Sequence, residues 1–300
     1  MVQQSKPQVT SLLSNDVLGR LERLRINATR LFTSKSRGEH LAGRGGTSVE
    51  FSDYRDYTPG DDVRFVDWNI FARLHRPYLK LYEEEEEIHV AVIIDTSSSM
   101  MFENKFELAR QLGAAFGVMG LLGGERVSVF AFGGRERGSM RLPPATGRAS
   151  MLKLFAFIEN LQGGGSVQIE EGLYDFLRRQ SGRGVVAILS DFLTSADLRR
   201  PFNLLFSAGL EIFGVQILGP QEIDPQVTGD TRLVDSESRH TLDVSSGAYL
   251  TSLYQEYRAA YESYLKENCQ KRCGHFLSVS PKDSLEYILF SLFRHRGWVK

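Results

Sequence analysis

Several features that would assign this chain to a specialised class of protein are scarce or missing. Only two of the 300 residues are cysteine, Cys269 and Cys273, which excludes a disulfide framework and suits a reducing compartment. These two cysteines also lack the paired spacing of a zinc site. No apolar run is long enough to span a bilayer, and the first residues lack the basic and apolar regions of a secretory signal. We therefore expect a cytoplasmic protein.

An excess of charge of one sign is also missing. The 36 Lys and Arg residues nearly cancel the 37 Asp and Glu residues, so that the formal net charge is −1. A balanced protein has no electrostatic reason to bind nucleic acid or an anionic membrane. The sequence therefore favours a globular protein whose partners are not nucleic acids.

What is present is an alternation of strands and helices over residues 88–300. Short apolar runs predict buried strands at residues 88–94, 126–132, 185–189, 210–218 and 276–279. Helical periodicity separates them, and a small hairpin is expected at residues 232–244. The basic stretch at residues 135–148 is predicted to be a Gly- and Pro-rich loop. This pattern is typical of an α/β fold with an open, doubly wound, mostly parallel sheet.

The first 87 residues have a different pattern. Residues 1–15 are expected to be a flexible tail, and residues 16–87 to combine an N-terminal helix (16–32) with an Arg/Asp-rich β segment. Thr58-Pro59-Gly60-Asp61 predicts a turn within that segment, and Trp68 is interpreted as a core anchor. The charged residues at 53–73 form either a docking face or an internal ion-pair network, and we favour the network.

Three segments place oxygen-bearing side chains after predicted strands or in a glycine loop. Asp95, Ser97 and Ser99 follow the strand at 88–94, and Ser190-Asp191 follows the strand at 185–189. Ser166 ends a Gly-Gly-Gly-Ser loop. In doubly wound sheets, ligands bind beyond the carboxyl ends of the strands. The loop at residues 219–230, which carries Glu222, is a further candidate for the border of that crevice.

Carboxylates and hydroxyls without His or Cys favour Mg²⁺, or else Mn²⁺ or Ca²⁺, over zinc. Two carboxylates and several neutral oxygens leave a divalent ion with affinity for one more anion. We therefore expect an acidic side chain of a partner protein to complete the site. The alternative is that the serines only cap the helix that follows.

The motifs DTSSSM, GGGS and ILSDFL together resemble the metal-ion-dependent adhesion site of von Willebrand factor A domains. The resemblance implies metal ligands at Asp95, Ser97, Ser99, Ser166 and Asp191, with Ser166 at a position where that family usually has Thr. It also implies a von Willebrand factor A-like fold for residues 88–300.

The upstream segment GRGGTSVEFSDYRDYTPGDDVRFVDWNIFARLHRPYLKLYEEE is similar to the signature of a bacterial family known as domain of unknown function 58. That family joins this segment to an A-type domain, and its genes commonly neighbour those of MoxR-type AAA+ ATPases. The resemblance therefore implies an adaptor that acts with a MoxR-type ATPase in the assembly or activation of other proteins.

Two other functions compete with the adaptor. A hydrolase or phosphotransferase would use Asp95 as its nucleophile, but Ser97 stands where such enzymes need a second carboxylate for acid–base work. A Gly-x-Ser-x-Gly elbow and a P-loop are also missing from the sequence, so we expect no catalysis. The other competitor is a metal-independent structural scaffold.

Overall fold

The computed structural model describes residues 8–28, 33–36, 49–85, 88–134, 138–225, 230–234, 241–245 and 248–300. The chain divides into two compact units: residues 31–87 form the smaller, and residues 1–30 with 88–300 form the larger. Residues 16–30 therefore group with the α/β unit, and not with the β segment as the sequence predicts.

Helix α1 (Asn15–Leu21) is shorter than the predicted helix at 16–32. It starts at Ser14, whose hydroxyl accepts a hydrogen bond from the Val17 amide at 3.2 Å. Beyond the helix, the Arg25 amide donates to the carbonyl of Lys300 at 2.9 Å. This pairing with the C-terminal residues takes the place of further helical hydrogen bonds.

The residues before α1 are also anchored. Leu12 and Leu13 are buried in the hydrophobic core of the larger unit, and the Thr10 hydroxyl donates to the Glu159 carboxylate at 2.6 Å. Apolar side chains that leave water stabilise the segment that carries them. The predicted flexible tail therefore does not extend over residues 10–15.

The smaller unit contains strand β1 (Thr33–Ser36), strand β2 (Val49–Asp56), helix α2 (Trp68–Leu74) and strand β3 (Tyr78–Glu85). Both β1 and β2 pair with β3 in antiparallel fashion, which places β3 in the centre of the sheet. The predicted turn is confirmed: the Asp61 amide donates to the carbonyl of Thr58, and Gly60 has a φ of 106°. Helix α2 was not predicted; the Asp67 carboxylate caps it.

Trp68 is not a core anchor, contrary to the prediction. It opens α2 and is 59% exposed, and its ring meets that of Phe71 edge-on at 5.8 Å. The charged residues of this unit pair locally instead, as Arg55 with Asp61, Arg64 with Asp62 and Lys80 with Asp67. The alternative of a docking face for this segment stays a prediction.

The described residues of the larger unit form eight strands: β4 (His89–Asp95), β5 (Arg126–Phe132), β6 (Met140–Ala145), β7 (Gly184–Ser190), β8 (Leu210–Ile217), β9 (Asp230–Val234), β10 (Thr241–Ser245) and β11 (His275–Val279). Six of them form one sheet in the order β11-β8-β7-β4-β5-β6. All neighbours are parallel except β6, which pairs antiparallel with β5 at the edge. The predicted hairpin is confirmed as β9 and β10.

Strand β6 replaces part of the loop predicted at residues 135–148. It contains Pro143 and Pro144, which lack an amide hydrogen and are tolerated in a strand at the edge of a sheet. Residues 135–137 lie outside the described part of the chain.

Helices cover both faces of the six-stranded sheet: α3 (Lys105–Gly123), α4 (Met151–Glu159), α5 (Ile169–Arg179), α6 (Arg199–Ser207), α7 (Pro220–Ile223), α8 (Ala248–Gln270), the π-helical turn Tyr287–Leu292 and α9 (Phe293–His295). Residues of α1, α3, α4 and α9 pack in one core, and residues of α5, α6 and α8 pack in the other. Every residue of β4, β7 and β8 is buried between them.

This arrangement confirms the predicted α/β class with a doubly wound, mostly parallel sheet. Strands β4 and β7 are neighbours, yet β4 leads to α3 on one face and β7 leads to α6 on the other. Such a switch point opens a crevice beyond the carboxyl ends of the two strands. No helix among the described residues is long and apolar enough to cross a membrane.

Candidate metal centre

The first loop of the crevice leaves β4 at Asp95. One carboxylate oxygen of Asp95 accepts a hydrogen bond from the Ser97 amide at 2.8 Å. The hydroxyl oxygens of Ser97 and Ser99 lie 3.1 Å apart. The loop therefore turns back on itself, and the side chains of Asp95, Ser97 and Ser99 line one pocket. The spacing of alternate residues predicts this convergence.

The second loop leaves β7 at Ser190. Because β7 lies beside β4 in parallel register, Ser190 comes level with Asp95. Its hydroxyl donates to the second carboxylate oxygen of Asp95 at 2.6 Å and accepts from the Phe192 amide at 2.9 Å. Phe192 has a φ of 56°, and Asp191, the residue before it, lines the same pocket as Asp95.

The glycine loop is hydrogen-bonded to the first loop. The amide and the hydroxyl of Ser98 both donate to the carbonyl of Gly165, at 2.8 and 3.0 Å. A Cβ atom on Gly165 would lie 2.1 Å from the carbonyl oxygen of Gly134. Only glycine permits this close approach of two backbones.

Four of the five predicted ligands line one small pocket: Asp95, Ser97, Ser99 and Asp191. The other residues that line it are Val167, Gln168, Ile169, Ser190, Leu193 and Thr194. Ser166, the fifth, is exposed next to Gly165 and does not line the pocket. Its role as a ligand stays a proposal, as do the roles of the other four.

Two further charged residues reach the crevice. Lys105, at the start of α3, is 0% exposed, and its Nζ lies 2.9 Å from a carboxylate oxygen of Asp191. The same Nζ lies 2.5 Å from a carboxylate oxygen of Glu222 in α7. The other Asp191 oxygen accepts from the Leu193 amide at 3.1 Å. Glu222, in the loop that was expected to border the crevice, is linked to Asp191 through Lys105 and does not line the pocket.

The two aspartates differ in their electrostatic surroundings. Burial, and after it the charge of Asp191, raise the pKa of Asp95 to about 7 against the opposing effect of the hydrogen bonds from Ser190 and Ser97. Burial alone would lower the pKa of Lys105, but the charges of Asp191 and Glu222 raise it. Asp191 thus has a cation beside it, whereas no Lys or Arg of the described chain forms an ion pair with Asp95.

The side chains present fit a hard divalent cation. Asp95 is 4% exposed, and a buried carboxylate without a counter-charge is costly unless it is protonated or binds a cation. Among the described residues, no three His, Cys, Asp or Glu side chains converge on one point. A metal here would therefore depend on serine hydroxyls as well as on the two aspartates, and such oxygen ligands suit Mg²⁺.

The sequence patterns did not identify Lys105 as a partner of Asp191, and they did not show that Glu222 contacts Lys105. One signal was available for Lys105: it is the first residue of α3, where the helix dipole disfavours a cation. A lysine at such a position indicates nearby carboxylates. Which carboxylates these are depends on contacts across 86 and 117 residues of sequence.

Comparison with known proteins shows similarity along most of the chain. Residues 53–268 match the model of a family described as "Protein of unknown function DUF58". The uncharacterized protein Rv1480 of Mycobacterium tuberculosis is 27% identical over 269 residues, which are 87% of this chain and 84% of that protein.

Solved structures that resemble this chain include two crystal structures. The conserved hypothetical protein BatB from Bacteroides thetaiotaomicron is 12% identical with a TM-score of 0.44, over 70% of this chain and 97% of its own. The VWA domain of SpRpn10 is 11% identical with a TM-score of 0.39, over 67% of this chain and 92% of its own.

Proposed function

The chain belongs to the DUF58 family, and from that premise we propose that it is a divalent-metal-dependent protein-binding adaptor. The observation that carries the proposal is the pocket at the switch point of the sheet. The pocket is lined by two aspartates and three serines from two loops: Asp95, Ser97 and Ser99 from the first, and Ser190 and Asp191 from the second. Binding is favoured over catalysis because Ser97 stands two residues after Asp95, where an acid–base carboxylate would be needed.

The residues proposed to hold the ion are Asp95, Ser97, Ser99 and Asp191, with Ser166 as a fifth ligand. The ion is Mg²⁺, or else Mn²⁺ or Ca²⁺, because all of these side chains offer oxygen. When bound, it supplies a positive charge at the rim of the sheet that attracts one more anion. The protein positions its ligands through the Ser97 amide, the Ser190 hydroxyl and the Leu193 amide.

The anion is an Asp or Glu of a partner protein, and the partner is a MoxR-type AAA+ ATPase or a protein that this ATPase acts on. The family resemblance of residues 43–85 supports this choice. The proposed compartment is the cytoplasm, where such ATPases and a chain with two unpaired thiols would meet.

Titration calorimetry with MgCl₂ tests the metal site. We expect saturable binding to the wild type and none to Asp95→Asn, which keeps the shape of the side chain and removes its charge. Ser97→Ala should weaken binding, whereas its matched control Ser98→Ala should not, because Ser98 bonds to Gly165 outside the pocket. Equal heats for the wild type and Asp95→Asn would disprove the metal site.

Affinity purification from the native host, with and without a chelator, tests the partner. We expect a MoxR-type ATPase to co-purify with the wild type, and to be lost with EDTA and with Asp95→Asn. Capture that is indifferent to EDTA would refute the metal-dependent mode of binding. Steady release of phosphate by the pure, metal-loaded protein would favour the enzyme instead.

A further inference from the structure

Lys105 is a fully buried lysine that lies between two carboxylates. Its side chain is 0% exposed, and its ammonium group lies between the carboxylates of Asp191 and Glu222. Lysine is almost never fully buried unless it is paired. Here the pairing places a permanent positive charge within hydrogen-bond distance of a proposed metal ligand.

Glu222 is itself held in place. Its second carboxylate oxygen accepts from the Gly219 amide at 2.7 Å, and its backbone carbonyl accepts from the Tyr254 hydroxyl at 2.6 Å. The neighbouring carbonyl of Ile223 accepts from the Gln255 side chain at 2.6 Å. Lys105 is therefore fixed from two sides, by the loop after β7 and by α7.

The charges of this group bear on any cation that binds in the pocket. With every group ionised, Asp95, Asp191 and Glu222 contribute three negative charges and Lys105 contributes one positive charge. A divalent cation beside Asp191 is attracted by the three carboxylates and repelled by Lys105. At the short distances in this group, one unit of charge changes binding of a divalent ion about tenfold or more.

We propose that Lys105 is the charge-setting residue of the pocket: it holds Asp191 in position and lowers the affinity of the site for divalent cations. The inference rests on the proposed metal site. Its consequence is an ion that exchanges readily and is bound more tightly once an acidic ligand joins it, since each of two coupled ligands strengthens the binding of the other.

A purely structural role for Lys105 makes the opposite prediction. If Lys105 only positioned Asp191, its removal would disorder a metal ligand and weaken metal binding. If Lys105 sets the charge, its removal strengthens metal binding. The sign of the change therefore separates the two roles.

Three variants change the formal charge of the group in steps. The wild type stands at −2, Lys105→Met at −3, Glu222→Gln at −1, and the double variant Lys105→Met/Glu222→Gln at −2 again. Affinity for Mg²⁺ alone is measured by calorimetry at pH 8, with circular dichroism and thermal melting to verify the fold. We expect about tenfold tighter binding for Lys105→Met and about tenfold weaker binding for Glu222→Gln. The double variant should stay within about threefold of the wild type.

Weaker binding by both Lys105→Met and the double variant would overturn the inference and assign Lys105 a structural role. If Lys105→Met does not fold, the Mg²⁺ affinities of Glu222→Gln and of the double variant test the inference. Weaker binding by Glu222→Gln with wild-type binding by the double variant supports the inference, and any other order overturns it. A wild type that binds no Mg²⁺, like Asp95→Asn, refutes the proposed metal site itself, which is a separate result.

Discussion

The charged pair of Arg64 in the smaller unit is exposed, whereas the charged group around Lys105 in the larger unit is largely buried. Arg64 is 81% exposed and bonds to Asp62, two residues away. Lys105 is 0% exposed and bonds to residues 86 and 117 positions away. An exposed pair is screened by water and contributes little to stability, while a buried charge without its partner is strongly destabilising. The density of charged residues along the sequence therefore does not show which charged residues contribute most to stability.

The largest effect is expected at Lys105. The Lys105→Met variant leaves the carboxylates of Asp191 and Glu222 without their cation, and that of Asp191 is only 3% exposed. We expect the free energy of unfolding in metal-free buffer to fall by about 3–5 kcal/mol, measured by urea denaturation. Adding Glu222→Gln should recover part of the loss. A fall below about 1 kcal/mol would erase the contrast between the Lys105 group and the exposed pair of Arg64.

The next effect concerns stabilisation by metal. A ligand that binds only the folded protein stabilises it by about 2.7 kcal/mol at a hundredfold excess over its dissociation constant. We expect Mg²⁺ to raise the melting temperature of the wild type and to leave that of Asp95→Asn unchanged. Arg64→Ala, in the smaller unit, serves as the control and should show the full wild-type shift. An equal shift in Asp95→Asn would place the ion elsewhere.

A smaller effect follows from the pKa of Asp95, which is about 7 in the folded protein against an ordinary value of 3.8. The folded state binds this proton more tightly than the unfolded state does. The stability gained from it is complete below about pH 4 and is lost as the pH rises through about 7.

Metal-free wild type should therefore lose roughly 1–2 kcal/mol between pH 5.5 and pH 8, relative to Asp95→Asn at the same two pH values. Urea denaturation at both pH values measures the difference. Affinity for Mg²⁺ should rise over the same range because the ion competes with the proton. Parallel pH profiles for the two proteins would contradict the raised pKa.

The smallest effect is expected in the smaller unit. Arg64→Ala removes a pair that is exposed and local in sequence, so the urea midpoint should not move beyond the scatter of replicate measurements. A clear loss of stability would show that Arg64 has a contact outside its pair with Asp62. The Arg64–Asp62 pair would then resemble the Lys105 group, because both would contribute to stability.

Much of the larger unit could be predicted from the sequence. Strands β4, β7 and β8 are buried on both faces. Such strands have nearly continuous apolar sequences, which can be recognised without the structure. The residue after such a run lies at the carboxyl edge of the sheet, and for that reason Asp95 and Asp191 could be placed near each other. Turn chemistry, which is local, identified Thr58 to Asp61.

The tertiary structure decided the features that depend on distant contacts. Helix α1 ends at Leu21 because the chain then pairs with residues at the C-terminus. Trp68 is 59% exposed at the start of α2, where its ring contacts that of Phe71. The partners of Lys105 come from the loop after β7 and from helix α7, which only the folded sheet brings together. Periodicity and spacing report on neighbours along the chain. Electrostatic partners depend on distance in space, and only the folded chain sets that distance.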